Sequence, residues 1–130
     1  MRVVIDCNVV VSAARSGGVC ARVIVEAIRY CEVVLSRPIV EEYEEVAERS
    51  AHAGYRDGIL AIIADFEQVA VFVEPADVTF GLRDADDEAY LATAIAGGAN
   101  LITGNRRDFT EPQYGPVEVL SPRAFIDRTG

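Results

Sequence analysis

Four groups of carboxylate and amide side chains are spaced along this sequence in a pattern that could hold a metal ion. They are Asp6 with Asn8, then Glu41, Glu42, Glu44, Glu45 and Glu48, then Asp84, Asp86 and Asp87, and finally Asn105 with Asp108. Carboxylates a few ångströms apart raise one another's pKa values, so several of them stay ionised together only beside a cation. Oxygen ligands without a His or Cys set favour Mg²⁺ or Mn²⁺ over Zn²⁺. If the fold brings the four groups together, the sequence predicts a site for one of these two ions.

Each group taken alone also has a purely structural interpretation. An Asp that ends a buried strand, such as Asp6, is often part of an Asx turn or a helix cap. Asp84 and Asp87 have the spacing of a capping residue and its third helical position. Asn105 and Asp108 could cap a turn, and the glutamates could form a solvated helix face. The metal hypothesis therefore depends on the elements that separate the groups.

Short apolar runs alternate with amphipathic segments, which predicts strands that alternate with helices. Strands are predicted at residues 2–5, 32–35, 69–73, 101–103 and 117–120. Helices are predicted at residues 9–14, 21–30, 36–49, 57–66 and 86–96, with a last short helix from residue 121. Residues 51–58 and 74–83 are predicted to be connections, and His52 is expected to be an exposed loop residue.

This alternation is typical of a three-layer α/β/α fold with a central parallel sheet of about five strands. Such sheets bind ligands beyond the carboxyl ends of their strands, where the strand order reverses. Each of the four groups follows a predicted strand or lies in the first turns of the next helix. We therefore expect the groups to converge at one edge of the sheet, which favours a metal site over four separate caps.

Length and composition restrict the classes of protein that fit. A chain of 130 residues with 51% hydrophobic residues is expected to form a single domain over residues 1–130. Acidic residues outnumber basic ones by 21 to 12, and the net charge of −9 argues against binding phosphate backbones through a broad basic face. The 12 Lys and Arg residues are all arginine, which excludes enzyme classes that need a lysine ammonium group.

The cysteines and the hydropathy pattern indicate a cellular compartment. Cys7, Cys20 and Cys31 lack the spacing of a zinc site or a disulfide framework, as expected in a reducing cytosol. Apolar runs all fall short of the roughly 18 residues that a membrane helix requires. We therefore expect a soluble, cytoplasmic protein without a membrane partner.

Four motifs occur in order and cover nearly the whole chain. They are Ile5-Asp6-Cys7-Asn8-Val9, then SRPIVEEYEE at residues 36–45, then Asp84-Ala85-Asp86-Asp87 followed by YLATA at 90–94, and Leu101-Ile102-Thr103-Gly104-Asn105 with Asp108-Phe109. The series resembles the motifs of PIN-domain nucleases, in particular the toxin-like, VapC-type ribonucleases. In this resemblance Glu42 takes the place of the acid in the second motif.

The resemblance implies a PIN-like fold and Mg²⁺- or Mn²⁺-dependent hydrolysis of RNA phosphodiester bonds. The catalytic residues that it implies are Asp6, Glu42, Asp84, Asp87 and Asn105. The metal ligands that it implies are Asp6, Glu42, Asp87 and Asp108. Carboxylates and substrate would be oriented or bound by Asn8, Thr103, Arg106 and Arg107. A toxin-like member would further be expected to form a homodimer and to be neutralised by a small antitoxin that reaches into the acidic groove.

Two positions depart from the family pattern. Cys7 stands where Thr is usual, a change expected to affect packing more than chemistry. Asn105 stands where many PIN domains have a fourth Asp, so it brings an oxygen without a charge. A second metal ion should therefore bind weakly, with Asp108 replacing the missing carboxylate only in part.

Other classes of protein fit less well. A haloacid-dehalogenase-type phosphotransferase needs a second Asp at the position of Asn8 and a Lys, and a response-regulator receiver needs the same Lys. Dinucleotide binding would require GxGxxG after the first strand. The main alternative is a catalytically weakened PIN-like module that binds RNA or protein, in which Asn105 marks decay of the site. The presence of four mutually repelling carboxylates, at Asp6, Glu42, Asp84 and Asp87, argues against that alternative.

Overall fold

A six-stranded, mostly parallel sheet lies at the centre of the computed structural model, which describes residues 1–129. The strands are β1 (Arg2–Ile5), β2 (Glu32–Leu35), β3 (Val71–Phe72), β4 (Asn100–Ile102), β5 (Gln113–Tyr114) and β6 (Val117–Leu120). Their order in the sheet is β3-β2-β1-β4-β6-β5. The neighbouring strands are parallel except β5, which pairs antiparallel to β6. The predicted α/β/α class with a parallel central sheet is thereby confirmed.

Six α-helices and one 3₁₀ helix pack around this sheet within residues 1–129. They are α1 (Cys7–Ser16), α2 (Gly18–Tyr30), α3 (Arg37–Ala47), the 3₁₀ helix (Ser50–Tyr55), α4 (Arg56–Val69), α5 (Ala85–Gly97) and α6 (Pro122–Thr129). Helix α5 lies against β1, β2, β4 and β6, while α1 packs against α2, α3 and α4. In the described part of the chain no single helix is long and apolar enough to cross a membrane; α1 and α2 together would be, but they meet at a bend of 117°.

Apart from shifts of one to three residues at the ends of elements, the structure differs from the predicted elements in three places. Strand β5 was not predicted, because it has only two residues between Pro112 and Gly115 and shows no periodicity. The third strand is shorter than predicted, since α4 continues to Val69. The predicted connection at 51–58 is instead the 3₁₀ helix followed directly by α4, so His52 is half-buried within a helix rather than exposed in a loop.

The sheet reverses its strand order between β1 and β4. From β1 the chain moves outward through β2 to β3 and then returns to β4 on the other side of β1. Val3, Val4 and Ile5 of β1 are 0% exposed, as expected for a strand covered on both faces. Just beyond the two strands, the backbone N–H of Asp6 donates to the carbonyl of Ile102 (3.0 Å). The crevice where such sheets bind ligands therefore opens beside Asp6.

Candidate active site

An acidic cavity of about 190 Å³ opens at the carboxyl ends of β1 and β4. Its lining comprises Asp6, Cys7, Asn8, Glu42, Arg49, Asp84, Asp86, Asp87, Asn105 and Asp108. Within residues 1–129, all four of the acidic and amide groups noted in the sequence contribute to this lining. The fold thus brings together the side chains that the metal hypothesis requires. Apart from Arg49, the charged side chains of the lining are six carboxylates.

Asp6 combines a capping role with burial. It is the N-cap of α1, where its Oδ1 accepts from the backbone N–H of Asn8 (3.5 Å), and it is only 3% exposed. Its other oxygen, Oδ2, accepts from the hydroxyl of Thr103 (2.6 Å), the residue that directly follows β4. Burial nevertheless raises the pKa of Asp6 above its usual value, although these hydrogen bonds oppose the shift. The carboxylate is therefore held in a fixed orientation in a place where its charge lacks solvation.

Glu42 is distinguished from the other glutamates of α3 by its partner. The Tyr90 hydroxyl donates to Glu42 Oε1 (2.6 Å) and accepts from the backbone N–H of Cys7 (3.1 Å). Tyr90 is itself 1% exposed, so a buried hydroxyl joins α1, α3 and α5 at the cavity. Burial raises the pKa of Glu42, and the hydrogen bond from Tyr90 opposes that shift. Tyr90 was not predicted, although its place one turn after Asp87 puts both side chains on one face of α5.

Asp84 and Asp87 differ in their surroundings. Asp84 is the N-cap of α5; it is exposed, and its Oδ1 accepts from the backbone N–H of Asp86 (2.9 Å). Asp87 is 8% exposed, and its Oδ2 has no hydrogen-bond partner among residues 1–129. Burial raises the pKa of Asp87 to about 7, and the charges of Asp108, Asp6 and Asp84 add to that shift. A buried carboxylate oxygen without a donor is stabilised by a proton or by a cation.

Asn105 caps the turn that follows β4 and holds Asp108 toward the cavity. Its Oδ1 accepts from the backbone N–H groups of Arg107 and Asp108 (both 3.2 Å). Its Nδ2 donates to Asp108 Oδ2 (2.8 Å), and Arg83 donates to Oδ1 of the same carboxylate (3.2 Å). These two donors lower the pKa of Asp108, so this carboxylate stays ionised. The amide at position 105 is thus a donor to Asp108, which a carboxylate could not be.

Comparison with known proteins gives the family. The sequence profile described as the PIN domain matches residues 2–107. The chain belongs to the PIN domain family. None of the curated proteins compared with it matches the sequence.

Two solved structures share the PIN fold of this chain. One is the crystal structure of VapBC2 from Rickettsia felis bound to a DNA fragment from their promoter: TM-score 0.64, 14% identity, covering 93% of this chain and 98% of that one. The other is the structure of VapBC-1 from nontypeable Haemophilus influenzae: TM-score 0.60, 16% identity, covering 95% of this chain and 99% of that one. At these identities the likeness concerns the fold.

The oxygen donors of this PIN domain fit a hard divalent cation. Within residues 1–129, one set of three potential ligands has its donor atoms within 4.8 Å of one another, and it consists of Asp6, Cys7 and Glu42. Burial and the charges of Asp6 and Glu42 raise the pKa of Cys7, so its sulfur stays a thiol and is a poor ligand for Mg²⁺. The remaining donors are carboxylate oxygens, joined by the unpartnered Oδ1 of Asn8 and Oδ2 of Asp87. The residues present therefore fit Mg²⁺ or Mn²⁺.

The predicted phosphate-binding arginines and a third arginine occupy different places around the cavity. Arg106 and Arg107 are exposed and lie outside the lining of the cavity. In the turn capped by Asn105, positions 105 and 108 line the cavity, whereas the two arginines between them are exposed. Arg49, which follows α3 and is the N-cap of the 3₁₀ helix, is the arginine that lines the cavity within residues 1–129. No local sequence signal marks Arg49, because its position depends on how α3 meets the 3₁₀ helix.

Proposed function

We propose that this PIN-domain protein is a Mg²⁺- or Mn²⁺-dependent endoribonuclease and the toxin of a toxin-antitoxin pair. The observation that carries the proposal is the buried Asp87 oxygen without a hydrogen-bond partner within residues 1–129, in a cavity lined by Asp6, Glu42 and further carboxylates. Such an arrangement is unfavourable for the apo protein and favourable once a cation is present.

The side chains divide into ligands and residues that orient them. Asp6 and Glu42 lie close enough to hold one ion, and Asp87, which lines the same cavity from α5, would be a further ligand. Thr103 and Tyr90 fix the two nearest carboxylates by hydrogen bonds, as ligands of metal sites commonly require. When bound, Mg²⁺ or Mn²⁺ would act as a Lewis acid that lowers the pKa of water and polarises a phosphate oxygen, which phosphodiester hydrolysis requires. Asp84, Asn105 and Asp108 complete the rim of this site.

The proposed partners follow from the toxin-like motifs and from the shared fold. Both solved structures reported above are VapBC structures. We therefore include in the proposal a small cognate antitoxin that binds the acidic cavity, a homodimer of this chain, and a cytoplasmic location. A weakened PIN-like module that binds RNA or protein is the alternative. One observation favours this alternative: the uncharged Asn105 stands where many PIN domains have an Asp.

Cleavage of RNA by the purified protein tests the proposal. We expect a panel of single-stranded RNAs to be cut internally when Mg²⁺ or Mn²⁺ is present and to stay intact in EDTA, because the carboxylates alone repel phosphate. The products are separated by denaturing electrophoresis, and a preparation of the Asp6→Asn variant controls for contaminating nucleases. Protein that is free of antitoxin and leaves the whole panel intact with both metals would favour the binding module.

Removing the Tyr90 hydroxyl tests whether that residue positions the site. Tyr90→Phe leaves Glu42 Oε1 and the Cys7 N–H without their shared partner. We expect it to slow RNA cleavage about tenfold and to lower the free energy of unfolding by about 1–3 kcal/mol.

Tyr114→Phe is the matched control. It removes another buried hydroxyl, one that accepts from the Glu111 N–H (3.2 Å) away from the cavity. We expect Tyr114→Phe to leave the cleavage rate and its Mg²⁺ dependence unchanged. If both variants slow cleavage in proportion to their loss of stability, Tyr90 has only a structural role.

A further inference from the structure

Two depressions of opposite charge adjoin the acidic cavity. The larger, of about 470 Å³, shares Glu42 and Asp86 with the cavity and adds Glu41 and Glu45; no basic side chain lines it in the described part of the chain. The smaller, of about 280 Å³, is called here the basic groove and is lined by Asn8, Val11, Arg15, Val46, Arg49 and His52, among others. Within residues 1–129 no carboxylate lines the basic groove.

The basic groove is continuous with the acidic cavity. Cys7, Asn8 and Arg49 line both, so a chain of nucleotides can pass directly from one depression to the other. Asn8 stands at the junction with a buried Oδ1 that has no hydrogen-bond partner among residues 1–129. A polyanion that extends from the acidic cavity therefore meets opposite charges on the two sides. One side presents glutamates, and the other presents arginines.

The two arginines of the groove are available to a ligand. Arg15, in the last turn of α1, is exposed and forms no ion pair within residues 1–129. Arg49 has only a contact of 3.6 Å with Glu45, and both of these side chains are more than half exposed. Such a surface pair contributes little stability. Either guanidinium can thus turn to a phosphate, which it binds with two parallel hydrogen bonds.

The rest of the groove suits a nucleobase. The 3₁₀ helix returns His52 to the groove, where its Nδ1 donates to the Val46 carbonyl (2.8 Å) and fixes the ring. The buried side chains of Val11 and Val46 form an apolar floor. Single-stranded RNA is commonly held by bases that lie on aromatic rings, His included, and on apolar side chains while arginines bind the phosphates.

We infer that the RNA strand runs from the acidic cavity over the basic groove, where Arg15 and Arg49 bind the phosphate of the nucleotide next to the scissile bond and His52 contacts its base. This inference rests on the proposed ribonuclease function and adds the path of the substrate to it. The path is selective because the carboxylates of the neighbouring acidic depression repel a polyanion, whereas the arginines of the basic groove attract it.

Binding of a fluorescein-labelled 12-nucleotide oligouridylate, followed by anisotropy with Ca²⁺ in place of Mg²⁺, tests the path. We compare Arg15→Gln and Arg49→Gln with the control Arg29→Gln. Arg29 is exposed in the last turn of α2, and it lies near the amino end of β2, at the edge of the sheet opposite to the cavity. Each groove variant is expected to weaken binding about tenfold and to reduce the slope of log affinity against log salt by about 0.7. Arg29→Gln is expected to match the wild type in both measurements.

Cross-linking of 4-thiouridine oligonucleotides to the wild type gives an independent readout. We expect the modified peptides to include residues of the basic groove. If the wild type cleaves RNA while the groove variants bind like Arg29→Gln, or if cross-links occur only at Arg106 and Arg107, the path is wrong and the ribonuclease function stands. If the wild type neither binds nor cleaves RNA in either metal, the ribonuclease function itself fails and the path fails with it.

Discussion

Replacing Asp87 with Asn is expected to abolish RNA cleavage and, in the same protein, to increase the stability of the metal-free form at neutral pH. The folded protein holds a proton on Asp87 up to about pH 7, whereas an unfolded chain releases it near pH 4. In the metal-free wild type, the contribution of Asp87 to the free energy of unfolding should therefore be largest below about pH 4. This contribution should be lost as the pH rises to about 7. The variant carries no charge here and escapes this loss.

The expected gain at pH 7.5 is on the order of 2–4 kcal/mol, since burial is the main cause of the raised pKa of Asp87. An amide Nδ2 at this position could also donate to the neighbouring carboxylates of the cavity. Cleavage should fall at least about 100-fold, because a charged ligand is lost.

Urea unfolding in EDTA between pH 5 and pH 8, with cleavage assays in Mg²⁺, measures both effects. Asp65→Asn, the same change at an exposed position of α4, is the control and should alter neither. Added Mg²⁺ should stabilise the wild type more than Asp87→Asn, since a ligand stabilises the state that binds it. An Asp87→Asn protein that is several kcal/mol less stable in EDTA would show that this carboxylate is a structural cap.

The elements that could be predicted are those with a local cause. The β-branched run of β1 is covered on both faces and falls at the predicted residues 2–5. Helix α5 ends at Gly97, one residue beyond the predicted end, because Gly98 adopts a left-handed φ of 62°. Gly97 adds a reason that the sequence does not show: a Cβ there would lie 2.5 Å from Val34 Cγ1, so only glycine lets α5 approach β2 this closely.

Contacts between distant segments lie beyond what local patterns can predict. The hydrogen bond from Tyr90 to Glu42 joins residues 48 positions apart, and neither helix shows in its sequence which face meets the other. Periodicity could not separate Glu42 from Glu41 or Glu45; the motif resemblance singled it out, and in the structure it is half-buried while the other two are exposed. The position of Arg49 depends likewise on a 3₁₀ helix that has too short a pattern to predict.

Asn105→Asp is expected to make the protein depend on metal for its stability. The substitution replaces the Nδ2 donor, 2.8 Å from Asp108 Oδ2, with a carboxylate oxygen, so two negative groups face each other in the turn after β4. Without metal the urea midpoint should fall, because a favourable hydrogen bond becomes a repulsion. When Mn²⁺ is present, the same pair of carboxylates should attract a second cation. Their negative charge should offset the repulsion between this cation and the first ion.

The Mn²⁺ concentration for half-maximal cleavage should therefore fall severalfold in Asn105→Asp, and it should rise in Asp108→Ala, which removes the ionised carboxylate that Asn105 holds. Calorimetric Mn²⁺ titrations and cleavage rates at stepped Mn²⁺ measure these changes. Gln68→Glu adds the same charge at an exposed position of α4 and controls for the change in net charge. A metal dependence that is identical in wild type and Asn105→Asp would show that position 105 serves the turn alone. Since Asn105 and Asp108 both line the cavity, a shift in Asp108→Ala with none in Asn105→Asp would assign the second ion to Asp108 alone.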